Sequence, residues 1–482
     1  MSLKESEVGT TSQGFSFWTG YFFVINVSVG AGFLNIPAVF QKTGWAFSAG
    51  FILVTALLSY VMGSQLIEVM SRVQVISQLQ ERGMQIQKPT FKQVFWRAKD
   101  GELIDHDDEL IEHEESTPFI SDKRYDMTEL VRILFGNKLS YTYLFLMAGY
   151  MQGAQVAYVS VFASSFASNV PIGNLSTCDI YSTDSFYNDC RWKYWIYLSI
   201  YACLMMYLTL KGIKEQKWVQ TFLTFMRFGI ILTICITCLA ALLADKRIDK
   251  DASNNGDIGP VYDWRYTGHA VFTVTFAFVY HLNFPSIIEF VKDRQKSLPK
   301  IIMLASTTCF LLYVFVGLSA ASAIGSVESE VTLSYRDYSG GFSTRPWWSY
   351  GISFIIVLFP AIDVFSCFPL MAISISDNLT TMCYGVGYKG KGLTMFRVIV
   401  VCLPVAIAFF EYNLGVISTV VGVFGFILGP LGIPMLHLAS REMLKTKGPY
   451  DTKLAPKSLV LGYLVFYILL IIFSLVLLGI YS

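Results

Sequence analysis

Two apolar stretches of this chain are interrupted by residues that do not belong in a regular helix. The first, FSFWTGYFFVINVSVGAGFLNIPAVFQ, contains Gly30-Ala31-Gly32 and, one turn later, Pro37; the second, HAVFTVTFAFVYHLNFPSIIEFVKD, contains His281, Asn283 and Pro285. Glycine adds backbone freedom, and proline lacks the amide proton and clashes inside a helix. Each stretch is therefore expected to form two half-helices, with Pro37 tolerated in the first turns of a second half. A cut helix presents N–H groups at one end and carbonyls at the other. Free N–H groups around Gly30 to Leu34 favour an anion such as a carboxylate, and carbonyls near Asn26 to Val29 favour a cation or an amine. The pair of poles suits a zwitterion, of which an α-amino acid is the commonest. On this reading the solute meets Ser28, Val29, Gly30, Ala31, Gly32 and Phe33 from the first stretch and Tyr280, His281 and Asn283 from the second. The competing use of such glycines is close helix packing, which fits Gly425 and Gly429 better.

Asp363 sits in LFPAIDVFSCFPL with apolar neighbours for a turn on either side. A carboxylate at that depth costs at least roughly 2.5 kcal/mol, so such residues often mark ion or proton paths. It either stays protonated or shares a cation with Asn26 and Ser366, which makes H⁺ or Na⁺ the expected coupling ion; no cofactor is expected. Tyr150, Gln152, Gln155 and Tyr158 add polar groups along another apolar stretch that could line a cavity, and Tyr150 is counted with the residues that meet the solute. Other chemistries find no support. Gly-Ala-Gly has neither the preceding strand nor the third glycine of a dinucleotide fingerprint. Cys235 and Cys238 are a CxxC inside an apolar helix. His106 and His113 lie among carboxylates at no metal-ligand spacing, so no metal site is expected. With no nucleophile–base pair, an enzyme is not expected.

The elements that must position these residues follow from composition. In 482 residues, 54% are hydrophobic and 15% charged, more apolar than a soluble core can hide. The net charge of +1 excludes a nucleic-acid footprint. A membrane span needs about 20 apolar residues. Such runs fall near 16–41, 44–71, 139–169, 192–210, 218–243, 268–291, 300–323, 349–377, 394–411, 415–438 and 458–480, giving an all-α polytopic membrane protein of about eleven spans in contact with lipid. The start, with Lys4, Glu5 and Glu7 ahead of a long apolar run, is not expected to be a cleaved leader. Lys and Arg favour the loops after even-numbered spans by about fifteen to nine, which puts the N-terminus in the cytosol. The remaining expectations follow from that orientation. Asn174-Leu175-Ser176 in the 170–191 loop becomes a glycan acceptor facing the lumen, and Cys178 and Cys190 in the same loop could close a disulfide contributing roughly 3 kcal/mol. The tail 1–15 and the acidic loop 72–138 become cytosolic; the loop ends in an amphipathic YDMTELVRILFG and could serve a cytosolic partner.

The interrupted spans are the first and the sixth. Five is odd, so a five-span repeat inserts upside down the second time, and paired interruptions in inverted repeats point to a transporter's binding site. The motifs agree with a known pattern. Asn26-xxx-Gly30-x-Gly32-xxxx-Pro37, FAFVYH ending at His281, and VVGVFGFILGPLGIP at 420–434 resemble the first, sixth and tenth spans of the amino acid/auxin permease family. Tyr150-xx-Gly153-xxxx-Tyr158 and FPLMAISISDN at 368–378 resemble a branch of it known only as numbered transmembrane proteins. The resemblance implies a five-plus-five inverted-repeat (LeuT-like) fold and H⁺- or Na⁺-coupled amino acid uptake by alternating access. It implies Gly30, Ala31 and Gly32 as substrate-binding backbone and Asn26 as a sodium ligand where that ion is used. The span-eight hydroxyl of that sodium site has Ile362 and Asp363 near its place, with Ser366 as a substitute, which makes a proton at least as eligible. The expected home is an endolysosomal, vacuolar or plasma membrane. The rival class is a membrane sensor or scaffold that binds an amino acid and signals through loop 72–138.

Overall fold

The computed structural model describes residues 16–30, 32–83, 88–89, 125–172, 180, 189–211, 217–244, 248, 260–288, 291–328, 330–342, 344–384, 388, 390–444, 450 and 456–481. Ala31, Asn174, Cys178 and the acidic centre of the 72–138 loop lie outside them, as does the side chain of Ser366. The described residues are almost entirely helical. Span one is broken into Phe17–Val29, a 3₁₀ turn Gly32–Asn35 and Ile36–Thr43, with a bend of 43°. Spans two to five are Trp45–Glu81, Asn137–Asn169, Asp189–Lys211 and Lys217–Leu243. Span six is Thr267–Phe278 and Phe284–Ile288, separated by five non-helical residues, Val279 to Asn283. Spans seven to nine are Arg294–Ala323, Trp347–Tyr384 and Lys391–Ala408. Span ten runs from Leu414–Phe426 through a π-turn Ile427–Leu431 that contains Pro430 to Gly432–Met443, and span eleven is Lys457–Tyr481. Seven of these helices meet the length and hydropathy of a membrane span, and the bent pair of span one makes an eighth. Spans three, four and six fall short because tyrosine, glutamine, charged or break residues lower their hydropathy, and several of these, such as Tyr150, Gln155, Lys193 and Tyr201, are buried in the bundle.

Several helices outrun their apolar stretches. Span two continues ten residues beyond the expected limit at 71, because Arg72 does not leave for water: it is buried, with Nε 3.2 Å from Glu68 and a guanidinium N–H donating to the Leu444 carbonyl. Span four likewise begins with buried Arg191 and Lys193. The amphipathic segment forms its helix, Met127–Phe135, and is set apart from span three by Gly136 at φ 93°.

The packing repeats with an offset of five. Span one lies against span five as span six lies against span ten; three against four as eight against nine; five against seven as ten against two. Span three packs along its own counterpart, span eight. This is the signature of two five-span units related by a pseudo-two-fold axis. Span eleven stands outside the repeat, against the first half of span six and the π-turn of span ten. Large apolar side chains such as Phe145, Phe315 and Leu469 project outward from the bundle, where a bilayer covers them.

Candidate functional site: the paired helix breaks

The breaks of spans one and six meet. Gly30 adopts φ +32°, a conformation that L side chains rarely take, and its N–H still reaches back to the Asn26 carbonyl at 3.3 Å. Gly32 packs on the last turn of the first half of span six, where a Cβ would come within 2.8 Å of the Ala277 Cα. The two glycines thus have separate jobs: the first makes the turn, and the second lets the broken helices touch.

Opened carbonyls must find donors, since unpaired backbone groups are costly away from water. Two buried tyrosines supply them. The Tyr313 hydroxyl of span seven lies 3.0 Å from the Ser28 carbonyl and 2.9 Å from that of Ala277. Tyr150 donates to the Val279 carbonyl at 3.0 Å, and His281 Nε2 donates to the Ser59 carbonyl of span two at 2.8 Å. Tyr280 stacks on the His281 ring at 4.1 Å. Ser28 Oγ turns back to the Val24 carbonyl, while Val29 and Phe33 are packed in the core. Asn283 continues the turn through its backbone N–H, 3.1 Å from the Tyr280 carbonyl. The expected residues of both breaks are therefore brought together, but most of their polar atoms are engaged by the protein. Tyr158 differs: its hydroxyl has no hydrogen-bond partner among the described residues and lies where a Cβ on Gly30 would meet it at 3.4 Å. Gln152 and Gln155 contact each other and the carbonyls of Val400 and Phe368, which fastens span three to spans nine and eight.

The expected residues do not include Arg227, which proves central to the charge balance. It is buried in span five, with Nε 3.1 Å from Asp363 Oδ2 and a second N–H donating to the same oxygen. Its Nη1 lies 2.9 Å from the Asn26 carbonyl and 3.5 Å from that of Ile25. Those carbonyls end the first half of span one, the pole expected to draw a cation. Sequence reasoning has Asp363 protonated or sharing a cation with Asn26 and Ser366; a guanidinium from span five stands at that pole instead. The signal was legible, because Arg227 is the only charged residue from Trp218 to Ala244 and faces the same insertion cost that singled out Asp363.

Buried carboxylates tie the spans together on both faces above and below the breaks. On the face where span one begins, Glu68 of span two is held by Arg72, by Arg441 of span ten at 2.7 Å, and by His437 Nε2 at 3.2 Å. On the other, the Glu330 carboxylate is buried and accepts from Ser164 and Ser165 of span three at 2.7 and 2.9 Å. The 3₁₀ turn that follows it, Val331–Tyr335, packs against Gly32–Asn35. A cavity of about 170 Å³ lies away from the breaks, beside Met127–Phe135 and the end of span eight.

An amino acid permease family model matches residues 127–339. Transmembrane protein 104 of Homo sapiens is 23% identical over 456 residues, covering 88% of this chain and 86% of its own, and that of Mus musculus is 22% identical over 450 residues, covering 87% and 86%. The chain is thus similar to the amino acid permeases over that segment and to transmembrane protein 104 over most of its length. Among solved structures, the inward-facing conformation of Mhp1 superposes with a TM-score of 0.55 at 10% identity, covering 99% of this chain and 96% of that one. A manganese transporter of Eremococcus coleocola gives 0.50 at 12% identity, covering 100% and 98%. These likenesses bear out the inverted-repeat fold, and seven helices long and apolar enough to cross a bilayer agree with a multi-pass membrane protein.

Proposed function

We propose that this chain is a secondary transporter of a small zwitterionic amino acid, driven by protons through alternating access. The observation that carries the reading is the meeting of two broken spans, which sets the N–H pole of Gly32–Asn35 beside carbonyls of both breaks. A carboxylate at the first and an ammonium at the second satisfy groups that an intact helix would not expose. Tyr158 offers a hydroxyl to the carboxylate. The proton is favoured over sodium by Arg227, whose guanidinium already fills the cation pole of span one. A proton taken up by Asp363 neutralises the carboxylate and loosens the guanidinium that ties Asp363 to the Ile25 and Asn26 carbonyls, so the first half of span one is freed to move. The test is uptake of labelled amino acids into proteoliposomes under separately imposed H⁺ and Na⁺ gradients. Saturable uptake that follows the pH gradient and ignores sodium supports the proposal; sodium-driven uptake removes Arg227 from the coupling role, and saturable binding without flux favours a sensor.

The orientation is part of the same proposal: the N-terminus and the 72–138 loop face the cytosol, and the 170–191 loop faces the lumen with a glycan on Asn174 and a Cys178–Cys190 disulfide. Asn174→Gln is expected to abolish a glycan-dependent gel shift of the protein made in glycosylating cells. A parent protein with no such shift would count against that topology.

A further inference from the structure

A carbonyl oxygen has two lone pairs to satisfy, whereas a tyrosine hydroxyl has one proton to give. Tyr313 is fully buried, and its hydroxyl lies at comparable distances from two carbonyls, 3.0 Å from Ser28 and 2.9 Å from Ala277. These carbonyls belong to different broken helices, and their convergence on one atom defines a point between the two breaks. That point adjoins the N–H pole, because Gly32 is packed directly on Ala277. One shared proton leaves both acceptors under-satisfied, while an ammonium with three N–H donors could bond each fully and with the strength of a charged donor. The carboxylate that could otherwise neutralise a cation here, Asp363, is paired with Arg227.

We propose that the Tyr313 hydroxyl occupies the place of the solute's ammonium group, so that span seven carries a built-in competitor which an amino acid must displace. This rests on the reading of the site as an amino acid site. It makes Tyr313 a determinant of affinity: the resting protein holds its breaks closed with its own hydroxyl, and only a ligand that brings a better donor and a carboxylate together opens them.

The test is Tyr313→Phe, with binding of the common L-α-amino acids and of the matching deaminated carboxylic acids measured by calorimetry on the purified full-length protein. The phenylalanine keeps the ring and removes the competitor, so the best amino acid is expected to bind roughly fivefold to tenfold more tightly, with no gain for its deaminated analogue. Unchanged or weaker amino acid binding by the folded variant overturns the proposal and identifies Tyr313 as a structural clamp. The wild-type protein gives a second reading that does not depend on the variant folding. Because the hydroxyl already serves the two carbonyls, the wild type should prefer an amino acid to its deaminated analogue by less than about tenfold, and a preference above roughly a hundredfold contradicts the proposal. If no amino acid binds either protein, the substrate reading itself fails, and the role of Tyr313 falls with it.

Discussion

Arg227→Ala is expected to destabilise the protein by about 3–5 kcal/mol, because it removes the guanidinium that pairs with the buried Asp363 carboxylate. Asp363→Ala should do the same from the other side, leaving a guanidinium with only the carbonyls of Ile25 and Asn26. Loss of yield and a lower unfolding temperature in detergent are the readouts. The informative variant is the double replacement of Arg227 by Met and Asp363 by Leu. Buried ion pairs can often be exchanged for apolar residues of similar volume at little cost in stability, so the double variant should recover most of the thermal stability of the parent. Transport should not recover, since the element that links span one to span eight through a titratable charge is gone. A double variant that is folded and still carries solute down a pH gradient would show that the pair merely packs the bundle.

Gly32→Ala is the second large effect. The new Cβ would lie 2.8 Å from both the Cα and the Cβ of Ala277, which are not a flexible side-chain end that can swing aside. Spans one and six must separate to admit it, at a cost of about 1–3 kcal/mol by the measure of overpacked cores. Because the separation falls between the two breaks, transport is expected to drop by more than about tenfold, as misplacements of about 1 Å can cost far more than that in positioned sites. Gly50→Ala in span two is the control: nothing lies within 4 Å of its added Cβ. A helix interior gains roughly 0.5–1 kcal/mol from that exchange, so Gly50→Ala should leave melting temperature and flux at or above the parent's. Equal behaviour of the two variants in both assays would mean that the contact of Gly32 with Ala277 is not needed.

The two breaks were legible because glycine, proline, histidine and asparagine are costly inside an apolar helix wherever it sits. The inverted repeat was legible for a related reason: an odd offset between the breaks fixes the topology by counting. What the sequence left open was which groups complete the opened backbone. Tyr313 lies in a span without a break, and a tyrosine among LLYVFVGL reads as an ordinary packing residue. Only the approach of span seven to both breaks gives its hydroxyl two carbonyls. Span two outruns its apolar stretch because a charge in sequence marks a border with water only when it is unpaired, whereas Arg72 is paired inside the protein with Glu68 and a carbonyl of the chain after span ten. For Gln152 and Gln155, sequence shows that a face is polar and not what that face meets; here it meets carbonyls of spans nine and eight.

The central claim is that a solute held between the two breaks is exposed to each side of the membrane in turn. Counterflow tests it most directly, because it needs no knowledge of the coupling ion: proteoliposomes are loaded with an unlabelled amino acid and the same labelled compound is supplied outside. A transient overshoot of label, absent with Gly32→Ala, is the expected result. Saturable binding of the amino acid with no counterflow from any compound in the set would contradict the account.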